Sequence, residues 1–447
     1  MKKQLITIMA LATILAIPGC GSDDVSVPDE LVPQEEQRQV DSQKEEDKNG
    51  DDKGSNENVV YMMPETKSIS LTAEQRNYVL KNNDFGLRLF RQLNGDASSA
   101  KSIVLSPIGV TYMLGMLNAG AAGDTSTEIC SLLGFGEGGK ADVNEFCHAV
   151  ATQAPLADPS VMLETANMIA FRNGLTPESL FADDMRDYYD AQTVCLDFGD
   201  PTTADYINRW CSETTHGMIC KMVDGIDPKM MMMMLDAVYF KATWTDKFDP
   251  ADTREEPFKL VDGTEKALPT MHRKAMAAFA DNDTYSALCL PYGSGDKWAM
   301  TALLPHEGKS VADVLAELNV ASWTGSWWRR MEACLVDVKI PRFTTESDTS
   351  LNEPISQLGA PTMFMPDKAD FSGIATSGVP LYVGLMKQKA AIEVNEEGTK
   401  ATAVTMAGMV SSAGPLTEKV FHADHPFVYF IQEASSGIMF FIGVFAG

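Results

Sequence analysis

The most informative alternation of polar and apolar positions lies near the C-terminus. From Glu393 to Glu397 the chain is largely acidic and polar; after Gly398 it becomes a run of small and β-branched residues. In an extended strand, successive side chains point to opposite faces. One face then carries Thr399, Ala401, Ala403, Thr405, Ala407 and Met409, and the other Lys400, Thr402, Val404, Met406, Gly408 and Val410. The first face has no charge and little bulk, and Lys400 falls on the second. Roughly a dozen further residues precede Phe421-His422-Ala423-Asp424-His425-Pro426-Phe427, and a connection this long without helical periodicity is usually functional or disordered. Composition alone fits a mobile Ala/Thr-rich surface loop. The segregation of the two faces fits a segment that at some moment slides into a sheet, with Gly398 as its flexible turn.

Other patterns are structural. Met230 to Met234 continues into Leu235 and Val238 as an unbroken apolar run. It reads as a strand buried on both faces, with methionine as adaptable filler rather than a copper or redox site. Phe427 to Ile431 is strand-like, and His422 and His425 stand at its entrance. Residues three apart do not share a strand face, so no metal site is expected there. Trp323 and Trp327 are spaced for one helix face, although Trp328, Arg329 and Arg330 beside them would also suit a stacking platform.

The 447-residue chain is 45% hydrophobic, enough for a sizeable core, and no stretch of its body is long and apolar enough to span a bilayer. Lys2 and Lys3, the apolar stretch Leu5 to Ile17, and Pro18-Gly19-Cys20 form an export signal over residues 1–19. The spacing resembles a bacterial lipoprotein signal, with cleavage before Cys20 and lipid on its thiol, although Pro18 is not the usual residue there; such a lipid would anchor the protein to a membrane without spanning it. Simple secretion or a periplasmic protein is the alternative. Gly21-Ser22-Asp23-Asp24 resembles an acidic tag for the outer cell surface. Residues 20–66 are too polar to bury a core and read as a disordered acidic linker. A net charge of −26 makes nucleic acid an improbable partner. The eight cysteines are scattered without metal-like spacing and are expected to be mostly free thiols. No Gly-x-Ser-x-Gly elbow, phosphate-binding loop or His-Glu-x-x-His is present, so no enzyme and no cofactor are expected.

A series of motifs gives the late pattern its context. They run through Asn83-Asp84-Phe85-Gly86-Leu87, Ser106-Pro107, Gly120-Ala121-Ala122-Gly123-Asp124-Thr125, Ile207-Asn208-Arg209-Trp210 and Thr215-His216-Gly217-Met218-Ile219. They continue through Asp236 to Trp244, Leu290-Pro291-Tyr292, Ile340-Pro341-Arg342-Phe343 and Ala369-Asp370-Phe371-Ser372-Gly373-Ile374. In this order, and ending in Glu397-Gly398-Thr399-Lys400-Ala401-Thr402-Ala403 and His425-Pro426-Phe427, the chain resembles a serpin from about residue 70 to its end.

The resemblance implies a mixed α/β (α+β) fold over residues 67–447, with three β-sheets and about eight to nine helices around them. It also implies an exposed reactive-centre loop over about 398–420, whose hinge is Glu397 to Ala403. The implied function is suicide inhibition of a protease by loop cleavage, acyl-enzyme formation and loop insertion, by a monomer whose partner is a serine, or alternatively cysteine, protease held in a covalent complex. Family register puts the reactive bond at Ser412–Ala413, with Met409, Val410 and Ser411 as alternates. These small or aliphatic residues suit elastase-like, subtilisin-like or papain-like targets. Trp244 corresponds to the family's buried breach tryptophan, and Ser106, Asp236 and Gln388 to its shutter. Here the sequence departs from the pattern: Asp236 replaces the usual asparagine, Gln388 the usual histidine, and Gly109 a common serine. A hydrogen bond between Asp236 and Gln388 is expected. The rival is a non-inhibitory serpin acting as a ligand carrier or decoy substrate.

Overall fold

The computed structural model describes residues 65–95, 101–135, 139–295, 297–319, 331–376, 380–396 and 418–447. The export signal, Cys20, all but the last two residues of the acidic linker, the hinge from Glu397 to Ala403, the candidate bonds from Met409 to Ala413, and Trp323, Trp327 and Trp328 lie outside the described residues.

Helices dominate the first part: α1 (Ala73–Asn94), α2 (Pro107–Gly120), α3 (Gly123–Leu133), α4 (Lys140–Gln153), α5 (Ser179–Tyr189) and α6 (Thr202–Thr214). The strands among and after them are β1 (Ile103–Leu105), β2 (Val161–Arg172), β3 (Thr176–Pro177), β4 (Gln192–Leu196) and β5 (Met232–Ala242). There follow β6 (Arg254–Lys259), β7 (Glu265–Asp281), β8 (Tyr285–Tyr292), β9 (Trp298–Pro305), α7 (Val311–Glu317), β10 (Glu332–Pro341), β11 (Phe343–Ser350) and α8 (Asn352–Gln357). The chain closes with β12 (Ala375–Thr376), β13 (Val383–Val394), β14 (Glu418–His422), β15 (Phe427–Glu433) and β16 (Met439–Phe445).

Local chemistry fixes the helix starts. The Thr72 hydroxyl accepts from the Gln75 amide while the Gln75 side chain accepts from the Thr72 amide, a reciprocal cap on α1. On α2, Ser106 caps the first turn and Pro107 follows it, where its missing N–H is not needed.

Three sheets form among the described residues. A five-stranded sheet runs β11-β13-β5-β2-β4, a nine-stranded one runs β1-β16-β15-β9-β8-β7-β10-β14 with β6 on β7, and β12 pairs β3. The 17-residue β7 joins what would otherwise be two sheets: its first part pairs β6 and its last part pairs β8.

The five-stranded sheet is buried on both faces at its centre. Met232, Met234, Val238 and Phe240 of β5 belong to the main core, which α2 joins, whereas Met233, Leu235 and Ala237 pack with Ile207, Trp210 and Cys211 of α6. A strand covered on both faces favours apolar residues at successive positions, which is the origin of the methionine run. The expected buried strand is present, starting two residues into the run.

Candidate functional site

The site is a seam between two parallel strands. β13 pairs directly with β5, both running the same way, with Gln388 opposite Asp236 and Ile392 opposite Phe240. β13 ends at Val394, Asn395 and Glu396 follow, and the next described residue is Glu418 at the start of β14. β14 belongs to the other large sheet, where it pairs in parallel with β10. The long segment between therefore leaves one sheet at the top of the seam and rejoins the other.

Trp244 sits where the seam meets that exit. It is 3% exposed, its ring lies stacked 4.2 Å from Tyr292, and its Nε1–H donates to the Asn395 carbonyl at 2.8 Å. The next residue, Glu396, is buried yet ionised: the Thr253 hydroxyl donates to it at 2.6 Å and Arg342 stands 3.5 Å away. Burial works against the charge, but Thr253, the residue's own backbone amide and Arg342 hold the carboxyl below the usual range. The last two described residues of this segment, Asn395 and Glu396, are thus fastened by an indole, a hydroxyl and a guanidinium from three separate segments.

Halfway down the seam lies the polar row expected from sequence. Gln388 Nε2 donates to Asp236 Oδ1 at 2.6 Å and to the Ser106 carbonyl at 3.0 Å, and Gln388 Oε1 accepts from the Ser106 amide at 2.8 Å. This one glutamine joins β13, β5 and the first turn of α2. Gly109 makes room for it: a Cβ there would fall 2.5 Å from Asp236 Oδ1 and 2.9 Å from Gln388 Nε2. The larger glutamine side chain and the missing Cβ are therefore complementary departures. Burial pushes the Asp236 carboxyl up to about 7, and the Gln388 amide offsets this only in part.

Sequence reasoning named Trp244, Asp236, Gln388 and Ser106, and the structure brings the last three together. It did not assign Arg342, Glu396, Thr253 or Tyr292 to the site, although Arg342 and Tyr292 stand inside quoted motifs. The two histidines take separate partners: His422 Nε2 is 3.6 Å from Asp337, and His425 Nε2 lies 2.9 Å from the Pro305 carbonyl. Among the described residues no group of side chains could hold a metal ion, and the seven described cysteines are free.

Comparison with known proteins agrees with this geometry. Residues 80–446 match the family model described as Serpin (serine protease inhibitor). The chain is 31% identical over 374 residues to Serpin B6 of Macaca fascicularis, covering 82% of this chain and 98% of that one. It is 30% identical over 369 residues to human glia-derived nexin, covering 80% and 90% respectively. Its fold superposes on the native-state crystal structure of the thermophilic serpin tengpin with a TM-score of 0.76, at 27% identity over 85% of this chain and 96% of that one. The chain belongs to the serpin family of serine protease inhibitors. The expectation that it is simply no enzyme is corrected accordingly: it rested on absent motifs, and the family match replaces it with a positive assignment, an inhibitor whose partner is a protease.

Proposed function

We propose that the protein inhibits its protease as a suicide substrate, by inserting its cleaved loop between β5 and β13. The observation that carries this is the direct parallel pairing of those two strands, with the chain leaving β13 at the top of their seam. A segment folding back from β13 runs antiparallel to both neighbours. Its insertion replaces one parallel contact with two antiparallel ones, which are slightly more stable per residue, and adds a strand of backbone hydrogen bonds. The uninserted fold then persists kinetically rather than at its free-energy minimum.

The chemistry is that of the target. Its serine or cysteine nucleophile attacks a carbonyl in the loop, the new N-terminal amine leaves, and the loop remains as an ester or thioester. A strand from Gly398 to Ser412 extends roughly 45–50 Å. Moving the attached protease that far strains its oxyanion hole, whose donors must hold their positions closely for water to complete deacylation. The segment Met409 to Ala413 offers small and aliphatic residues, and no Lys or Arg stands between Lys400 and Lys419. That composition supports elastase-like or subtilisin-like targets, with papain-like cysteine proteases as the alternative, and disfavours trypsin-like ones. The sequence of the first twenty residues supports a lipid tether at Cys20, and with it a place on an outer membrane or cell surface.

Incubation with a panel of such proteases is expected to give a covalent complex that survives denaturing electrophoresis. Mass spectrometry of the released C-terminal peptide is expected to place the cut between Met409 and Ala413. Complete loop cleavage without any complex, across the panel, would favour the decoy-substrate rival.

A further inference from the structure

Asp236 has a second neighbour that inhibition, as proposed above, does not use. On the antiparallel pair β2–β5, Asn167 stands directly opposite Asp236. Both point to the face covered by α2, since the alternate residues Met168, Leu235 and Ala237 pack beneath α6. Asp236 is fully buried and Asn167 nearly so. Asp236 Oδ2 and Asn167 Oδ1 are both buried without a hydrogen-bond partner among the described residues.

Two buried acceptor oxygens on opposed residues, each left without a partner, are a costly arrangement. Among the described residues, the groups around them supply no cation. From β13 comes the Gln388 amide, already committed to Asp236 Oδ1 and Ser106. From α2 come the Ser106 and Gly109 backbone and the Tyr112 phenol, which burial, then Cys147 and Asp236, hold well above its ordinary value. Lys389 lies beneath α6 on the other face of β13 and is engaged by Asp348 and Glu346 of β11. Cys211 of α6, on that same side, is a thiol pushed up to about 12 by burial.

We infer that Asp236 is held as a neutral carboxylic acid in the closed sheet, its O–H donating to Asn167 Oδ1, so that the β5–β13 seam is gated by one proton. The neutral acid offers one acceptor to Gln388 and one donor to Asn167, satisfying the row from β2 to β13. Loss of the proton leaves a buried carboxylate, which is better solvated when the seam parts and water enters. Rising pH therefore loosens the seam. The link from seam to inhibition rests on the proposed insertion, whereas the proton itself does not.

The test is the stability of intact protein from pH 4 to 9, compared with Asp236→Asn, whose amide reproduces the neutral acid's donor and acceptor. Because the folded carboxyl titrates at about 7 and the unfolded one near its ordinary 3.8, the native form keeps a proton through that interval which the unfolded chain has lost. Its contribution to stability is full below about pH 4 and is lost as pH rises toward 7. The variant is expected to gain on the parent across that interval, by up to about a thousandfold in the unfolding equilibrium constant, and then to run parallel. Curves parallel throughout would overturn the inference. If Asp236→Asn fails to fold, the infrared carbonyl band of a protonated carboxyl at pH 5.5 decides: present in the parent and titrating at lower pH in Asn167→Ala, or absent. The assay needs no protease, so failure of the insertion mechanism would leave this result readable.

Discussion

Thr399→Arg is expected to abolish the gel-stable complex while leaving the loop fully cleavable, so that the inhibitor becomes a substrate. Thr399 is the first residue after Gly398 and begins the uncharged face of the loop. On the core side the seam is walled by Met234, Val238 and Phe240 of β5 and by Ala390 and Ile392 of β13, all essentially inaccessible. A guanidinium forced among them without a partner costs several kcal/mol. If about 4 kcal/mol of that appears in the insertion barrier, insertion slows by roughly three orders of magnitude. Deacylation then wins the race and the protease is released. Lys400→Arg, on the opposite face, provides the control and is expected to leave inhibition intact. Equal loss from both variants would mean that the alternation of faces has no role in the loop's fate.

Trp244→Ala is expected to lower the stability of the intact protein by about 3–5 kcal/mol, read from the urea midpoint at constant slope. The indole is nearly fully buried, its stack on Tyr292 contributes beyond its area, and its N–H holds the Asn395 carbonyl. Native stabilities are typically 5–15 kcal/mol, so this is a large fraction of the whole. The residue also anchors the strand end from which the loop departs. The variant is therefore expected to convert to an uncleavable, inserted form on storage faster than the parent. A change below about 1 kcal/mol would remove Trp244 from the set of residues that hold the seam shut.

The parts of the site legible in the sequence were those carried by single segments. The apolar run at Met230 to Met234 read as a doubly covered strand, and β5 is one from Met232 onward, whereas the stretch after Gly398 lies outside the described residues and its reading as a special loop rests on sequence. The pairing of Asp236 with Gln388 followed from family register, and the two residues are direct neighbours across the seam. What stayed hidden is made of contacts between distant segments. Arg342 at the end of β10 meets Glu396, Thr253 reaches the same carboxylate from before β6, and Tyr292 closes β8 against Trp244. No periodicity encodes such meetings, because each depends on how sheets stack after local structure has formed. Asn167 was hidden for a different reason: among the polar residues of β2, Glu164, Thr165, Asn167 and Arg172, nothing marks it as buried until the register sets it against Asp236. The joining of two sheets through β7 likewise follows from strand length in the folded molecule, not from residue type.

The central claim is that the native fold holds a seam which its own loop can fill with a gain in stability. Its most direct measure is the thermal midpoint of the protein before and after a single cut between Met409 and Ala413, with both fragments retained. The cut protein is expected to melt well above the intact one. A midpoint that is unchanged or lower would contradict insertion at the β5–β13 seam.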